Sequence, residues 1–251
     1  MTPEIDAVFS ELKEKYGENS IQRVERMMAQ RSQDRHPMQK EAKWIMPGLT
    51  SKPWHDPYEN EHLCRIARGL EGMHPIIKGE ILSVIGNGDE NAIETYQHYK
   101  VVNNDWDALY LFKNGRIVES NRGLVPQTFS FMETSIGDWL CPLLEMHFSI
   151  LHPRAIIPSH CDLWNFTINL HLAVDIPDGC GIDVAGIERA WTEGNCLLFD
   201  YSYLHRAWNN SNKKRICLLM DIWNPEVTLP EREAILVLIT EVRKIIEEMS
   251  D

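Results

Sequence analysis

His160-Cys161-Asp162 and, forty-five positions later, His205 offer two imidazoles and one carboxylate. Such a set can form a facial triad, which binds Fe(II) on one face and leaves the opposite positions open. A His-x-Asp at a strand end can point two side chains to one side, and the third ligand then has to arrive on another strand folded back beside it. The bland alternative is a surface histidine and a turn-forming aspartate, since Pro158, Ser159 and Asn165 surround them and ten histidines generate chance matches.

Arg215 stands ten residues beyond His205. Leu204–Trp208 and Arg215–Ile222 read as strands around a turn-rich Asn209–Lys213, so the sequence predicts a hairpin with His205 and Arg215 on one face. A lone guanidinium there could hold a carboxylate through a bidentate pair. Next to Lys213 and Lys214 it could equally be a solvated edge charge. Asn169 and His171 share the polar side of an alternating run in which Phe166, Ile168, Leu170, Leu172 and Val174 form the apolar side. If that polar side faces the pocket, His171 could donate to a bound carboxylate; a satisfied core histidine is the alternative.

The elements that must position these groups are short. From Trp106 onward, apolar segments separated by Gly, Asn and Pro predict strands at Ala108–Phe112, Gly115–Val118, Thr128–Met132, Glu145–Leu151, Asn165–Val174, Ile182–Val184, Cys196–Phe199 and Arg215–Trp223, the pattern of an all-β sandwich or barrel. Helices are expected before it, from Thr2-Pro3 to about Gly17, around Ile21 to Ala29, over Glu59–Arg68 and over Ile76–Val84. Three prolines and a glycine make residues 44–57 an ordered loop or arm. Thr228-Leu-Pro-Glu231 is a capping box ahead of an apolar stripe at Ile235, Leu238, Val242, Ile245 and Met249. The expected organisation is one domain, mainly β with flanking helices: residues 1–105 mainly helical, 106–226 the β core, 228–249 a C-terminal helix.

The chain has 251 residues, 25 basic against 37 acidic, and a net charge of −12. That length permits a substantial core, and the acidity disfavours nucleic acid and anionic lipid as partners. The N-terminus has no signal-peptide pattern and no apolar run reaches membrane-span length, so a cytoplasmic location is expected. Six cysteines without a CxxC read as reduced, mostly buried thiols. Dinucleotide, P-loop and nucleophile-elbow motifs are missing.

Several stretches together resemble the aspartyl/asparaginyl β-hydroxylase family: Trp44 to Pro57, Phe148 to His160, Trp191-x-x-Gly194, Phe199-Asp200-x-Ser202-x-x-His205 and Asp221-Ile-Trp-Asn-Pro-Glu226. Their order and spacing over most of residues 44–230 are far more specific than the His-x-Asp alone. The resemblance implies a double-stranded β-helix, a cupin-like jelly roll, with Fe(II), 2-oxoglutarate and O2 as its chemistry. It implies His160 and His205 as iron ligands, Arg215 on the distal carboxylate of 2-oxoglutarate with Ser149 assisting, and His171 near the cosubstrate. The animal enzymes that name the family have glycine where this chain has Asp162, which here restores the third ligand. They have arginine where this chain has Asn169, so their preference for an aspartyl side chain does not carry over.

The expectation is a 2-oxoglutarate-dependent dioxygenase with no catalytic residue beyond the metal ligands. It would hydroxylate an unactivated C–H bond of an amino acid, an amino-acid-derived metabolite or a carrier-bound aminoacyl group, with natural-product biosynthesis as a setting. The rivals are a cupin-like metalloenzyme that does not use 2-oxoglutarate and a non-catalytic jelly-roll binding protein.

Overall fold

A computed structural model describes residues 2–29, 35–97 and 105–249. In chain order its main elements are α1 (Pro3–Tyr16), α2 (Gln22–Ala29), β1 (Trp54–His55), α3 (Glu61–Gly86), β2 (Glu94–Thr95), β3 (Trp106–Lys113), β4 (Arg116–Ile117) and α4 (Pro126–Phe131). They continue with β5 (Glu145–Leu151), β6 (Ile156–His160), β7 (Thr167–Asp175), β8 (Cys180–Val184), β9 (Ile187–Arg189), β10 (Cys196–Phe199), β11 (His205–Asn209), β12 (Arg215–Trp223) and α5 (Leu229–Glu248). The last eight strands wind into two facing antiparallel sheets, with β10-β7-β12-β5 in one and β6-β11-β8-β9 in the other. That order is a double-stranded β-helix. The larger sheet is extended by β1 beyond β10 and by β3 and β2 beyond β5.

Alternation decides what each face of the large sheet does. Met146, Phe148, Ile150, Ile168, Leu170, Leu172, Leu218 and Met220 turn outward and are covered by α3 and α4 in the main apolar core. The residues between them turn inward, toward the small sheet. A second core joins α1, α2, residues 44–49 and α5, so the expected arm at 44–57 does pack down. Arg23 fixes this layer by pairing with Glu231, at 2.6 Å between Nη2 and Oε2. Glu231 also closes the capping box with Thr228 that the sequence predicts. Beyond Leu238 the stripe leaves the core: Ile245 and Met249 are exposed. Among the described residues no helix is long and apolar enough to cross a membrane.

Three expectations are corrected. Residues 59–84 do not form two helices, because α3 runs through Pro75. Buried Leu63, Ile66, Leu70, Ile77, Ile81 and Val84 keep one helical stripe in a single core, and that packing offsets a proline cost of about 3 kcal/mol. Thr128–Met132 is helical, not a strand. Pro126 starts α4, and the Glu80 carboxylate of α3 accepts the backbone N–H of Gln127 at 2.7 Å, and the N–H and hydroxyl of Thr128 at 3.0 and 2.6 Å. The cap lies 47 residues away in sequence, out of reach of a local reading. Finally, β11 and β12 are not a hairpin. They belong to different sheets, β11 pairing with β6 and β8, and β12 with β5 and β7. Buried Asn209 builds the corner between them, donating to the carbonyls of His152 at 2.9 Å and Lys213 at 2.7 Å.

Candidate metal centre and its pocket

His160 ends β6 and His205 begins β11, and the two are direct cross-strand partners in the small sheet, with ring centroids 4.1 Å apart. Each ring donates through Nδ1 to a carbonyl two residues earlier, Pro158 for His160 and Tyr203 for His205, both at 2.8 Å. With Nδ1 so engaged, Nε2 is the nitrogen left to act as a metal ligand. Asp162 follows in a loop pinned by its N–H donating to the Tyr201 carbonyl at 2.9 Å. Its Oδ2 stands 3.9 Å from His160 Nε2 and 3.6 Å from His205 Nε2.

One ligand atom from each of the three residues lies within 4.8 Å of the others. This is a set of two imidazoles and one carboxylate converging on a point, the donor set suited to Fe(II). Burial pushes the Asp162 carboxyl up to about 7, with the charge of Glu145 adding a smaller push, although a third of the side chain meets open space. A bound cation would relieve that penalty.

The triad opens onto a cavity of about 200 Å³ between the two sheets. Arg215, Ser149, His171 and Asn169 all line it. Inward-facing residues of the large sheet stack in rungs. On the deepest, Trp106, Leu151 and Arg215 pair across β3, β5 and β12. Ser149 is the diagonal neighbour of Arg215, a spacing of roughly 7 to 8 Å. His171 faces Leu219, and the next rung carries Phe199, Asn169 and Asp221. The Phe199 ring touches both His171 and His205, with centroids 5.1 and 5.9 Å away, which places this rung level with the triad.

Arg215 is only 1% exposed. Its guanidinium lies 4.8 Å over the Trp191 ring, and its Nε and Nη1 have no hydrogen-bond partner among the described residues. No carboxylate there pairs with it, and a buried cation without a counter-charge is costly. Ser149, equally buried, accepts the Trp106 indole N–H at 2.8 Å, which leaves its own hydroxyl hydrogen to give. Among the described residues neither ring nitrogen of His171 has a hydrogen-bond partner. Burial, reinforced by the nearby Arg215, holds its pKa far below the usual histidine range, so it is neutral. These three side chains leave donors without acceptors in one pocket, which fits a small carboxylate.

Asn169, expected to contact substrate, lines the cavity and donates to Asp221 Oδ1 at 2.7 Å. The sequence reading assigned no role to Asp221, Glu145 or the buttress behind the triad. The alternation 215, 217, 219, 221 along β12 carried the signal for Asp221. In the buttress, Ser202 donates to the buried Asp200 at 2.6 Å and accepts from Gln39 at 2.7 Å, while the Met38 carbonyl accepts the Leu204 N–H.

The family profile described as Aspartyl/Asparaginyl beta-hydroxylase matches residues 71–225, the span that holds every one of the pocket groups just named from His160 to Asp221. The aspartyl/asparaginyl beta-hydroxylase of Mus musculus is 29% identical over 196 residues, covering 75% of this chain and 25% of that protein. Aspartate beta-hydroxylase domain-containing protein 2 of Homo sapiens is 33% identical over 137 residues, 52% of this chain and 37% of that protein. For the domain-containing protein 1 of Mus musculus the identity is 37% over 137 residues, 51% of this chain and 36% of that protein. The chain thus matches between about a quarter and two fifths of the length of these relatives. Among solved structures, a prolyl-4-hydroxylase from Pseudomonas putida aligns with 60% of this chain and 87% of its own at 12% identity and a TM-score of 0.39. Since the profile spans more than half of the sequence, the chain belongs to the aspartyl/asparaginyl beta-hydroxylase family.

Proposed function

We propose that this protein is a 2-oxoglutarate-dependent hydroxylase acting on an unactivated C–H bond of an amino acid, an amino-acid-derived metabolite or a carrier-bound aminoacyl group. The observation that carries this reading is Arg215, a buried guanidinium without a counter-ion among the described residues, in the same cavity as a His-Asp-His triad. His160, Asp162 and His205 would hold Fe(II). Bound there, iron supplies the redox chemistry by which O2, 2-oxoglutarate and a C–H bond become CO2, succinate and an alcohol.

The chain's own residues bind and orient. Arg215 and the Ser149 hydroxyl would take the distal carboxylate of 2-oxoglutarate at the deep end of the cavity, where charge-assisted bonds are strongest. His171 would donate to the cosubstrate nearer the triad. Trp191 and Phe199, both buried, wall this path from water. A cupin-like enzyme that makes no use of an oxoacid has no need of Arg215, and a binding protein has none of the triad. Six free thiols suit a reducing, cytoplasmic setting.

The test is O2-dependent conversion of 2-oxoglutarate to succinate by the Fe(II)-loaded protein, with candidate amino acids present. We expect succinate from the wild type and none from His160→Ala or His205→Ala. Full turnover in either variant would contradict the assignment.

A further inference from the structure

At the triad's level the cavity wall changes sign. Asp221 is 5% exposed, and Glu145 lies beside it across β5 and β12, its N–H 3.4 Å from Asp221 Oδ2. Both line the cavity, and neither forms an ion pair with a lysine or arginine among the described residues. Asn169 and Tyr96 each give one hydrogen bond, to Asp221 Oδ1 at 2.7 Å and to Glu145 Oε1 at 2.6 Å. These two hydrogen bonds come from neutral donors, while the charge of Lys113, cross-strand from Glu145, acts on it from further away. Burial, and then the charge of Glu145, pushes the Asp221 carboxyl well above its usual range; burial also raises that of Glu145.

Two further observations bear on what would sit there. Tyr96 and Trp106, stacked at 4.1 Å, and Tyr201 line the same cavity, and aromatic faces attract cations. His147 is fully buried against Tyr96, and neither of its ring nitrogens has a hydrogen-bond partner, although Nδ1 points at Glu145 Oε1 from 3.5 Å. A neutral imidazole there leaves one donor and one acceptor unmet beside Glu145. Arg215 is six residues from Asp221 on the same face of β12, roughly 20 Å away by strand rise, so the cation at the deep end does not neutralise this wall.

We infer that Glu145 and Asp221, with Tyr96 beside them, form a subsite for a positively charged group of the substrate, a protonated amine or a guanidinium. This rests on the reading that the cavity takes the substrate beside the triad. A cation between the two carboxylates makes charge-assisted bonds to both and lifts the cost of their burial. Asn169 fits the same scheme, since it adds no competing positive charge and orients Asp221 instead. The substrate would carry its cation toward β5 and β12 and present a C–H bond to the triad.

The experiment is calorimetric titration of the metal-free protein with n-butylguanidinium, and with n-butylurea as its uncharged isostere. The expected result is binding of the guanidinium at least 10-fold tighter than of the urea, with that preference removed in both Asp221→Asn and Glu145→Gln. If either variant fails to fold by circular dichroism, the other decides. Equal binding of the two probes would show uncharged recognition and overturn the inference; so would a preference that survives the substitutions, which would place the cation elsewhere on an acidic surface. Because no iron or oxoacid is present, this result stands apart from the oxygenase reading. Guanidinium binding without succinate formation would remove the latter alone, and the reverse outcome would remove only the subsite.

Discussion

Single residues separate ligand binding from stability in this protein. Arg215 is buried, and among the described residues its Nε and Nη1 have no acceptor, so it burdens the fold and would serve when an anion arrives. Arg215→Met should therefore raise the melting temperature of the ligand-free protein while raising the 2-oxoglutarate requirement about 100-fold, the scale of losing one buried charge partner. Thermal melts and succinate assays check both halves. His147 tests burial from the other side. Burial lowers its pKa from 6.5 to about 3, so between those values the unfolded chain binds a proton that the folded chain refuses. Its contribution to stability is whole above about 6.5 and is lost as pH falls toward 3, at up to about 1.4 kcal/mol per pH unit. His147→Gln should flatten the acid limb of a urea-denaturation series over that range. Residue types and spacing made His160, Asp162, His205 and Arg215 candidates, and the family resemblance gave them roles. Glu145 and Asp221 were given no role, because an acid on a strand carries no sign of burial until the sheet is assembled around it.

Elements legible in the sequence were those whose signals are local. Cys196–Phe199 and Arg215–Trp223 have the bounds that apolar segments between turn residues predict, and the capping box at Thr228 starts α5 where expected. Misreadings arose where a distant partner decides the structure. Thr128–Met132 alternates like a strand, yet its N-terminal donors are capped by Glu80 from α3, and Thr128, Phe129 and Met132 are buried at helical spacing. Glu80→Ala should cost about 1 to 2 kcal/mol in a urea melt, the scale of a lost helix cap, and leave metal affinity unchanged. The turn-rich segment after Asn209 looked like a hairpin because composition marks a turn without saying which sheet the chain enters next. Buried Asn209 supplies that answer through its bonds to His152 and Lys213. The expected nearness of His205 and Arg215 to one pocket survives, but across two sheets instead of within one ladder.

As a whole, the molecule is an acidic chain that keeps a basic group at the bottom of its central cavity. A net charge of −12 repels small dianions at long range, so selection for a carboxylate has to come from short-range contacts that solvent does not screen. The double-stranded β-helix sets His160 and His205 of the triad on the small sheet against Arg215, Ser149 and His171 on the large one, the groups proposed to supply them. Helices α1, α2 and α5 contribute no side chain to that cavity and close a separate core around residues 44–49. The central claim is that one cavity joins iron to an oxoacid held by Arg215. Anaerobic titration of the Fe(II)-loaded protein with 2-oxoglutarate, followed by visible absorption, tests it most directly. A charge-transfer band should appear in the wild type, vanish in His205→Ala and need far more 2-oxoglutarate in Arg215→Met. Iron binding without a band, or a band indifferent to Arg215, would contradict it.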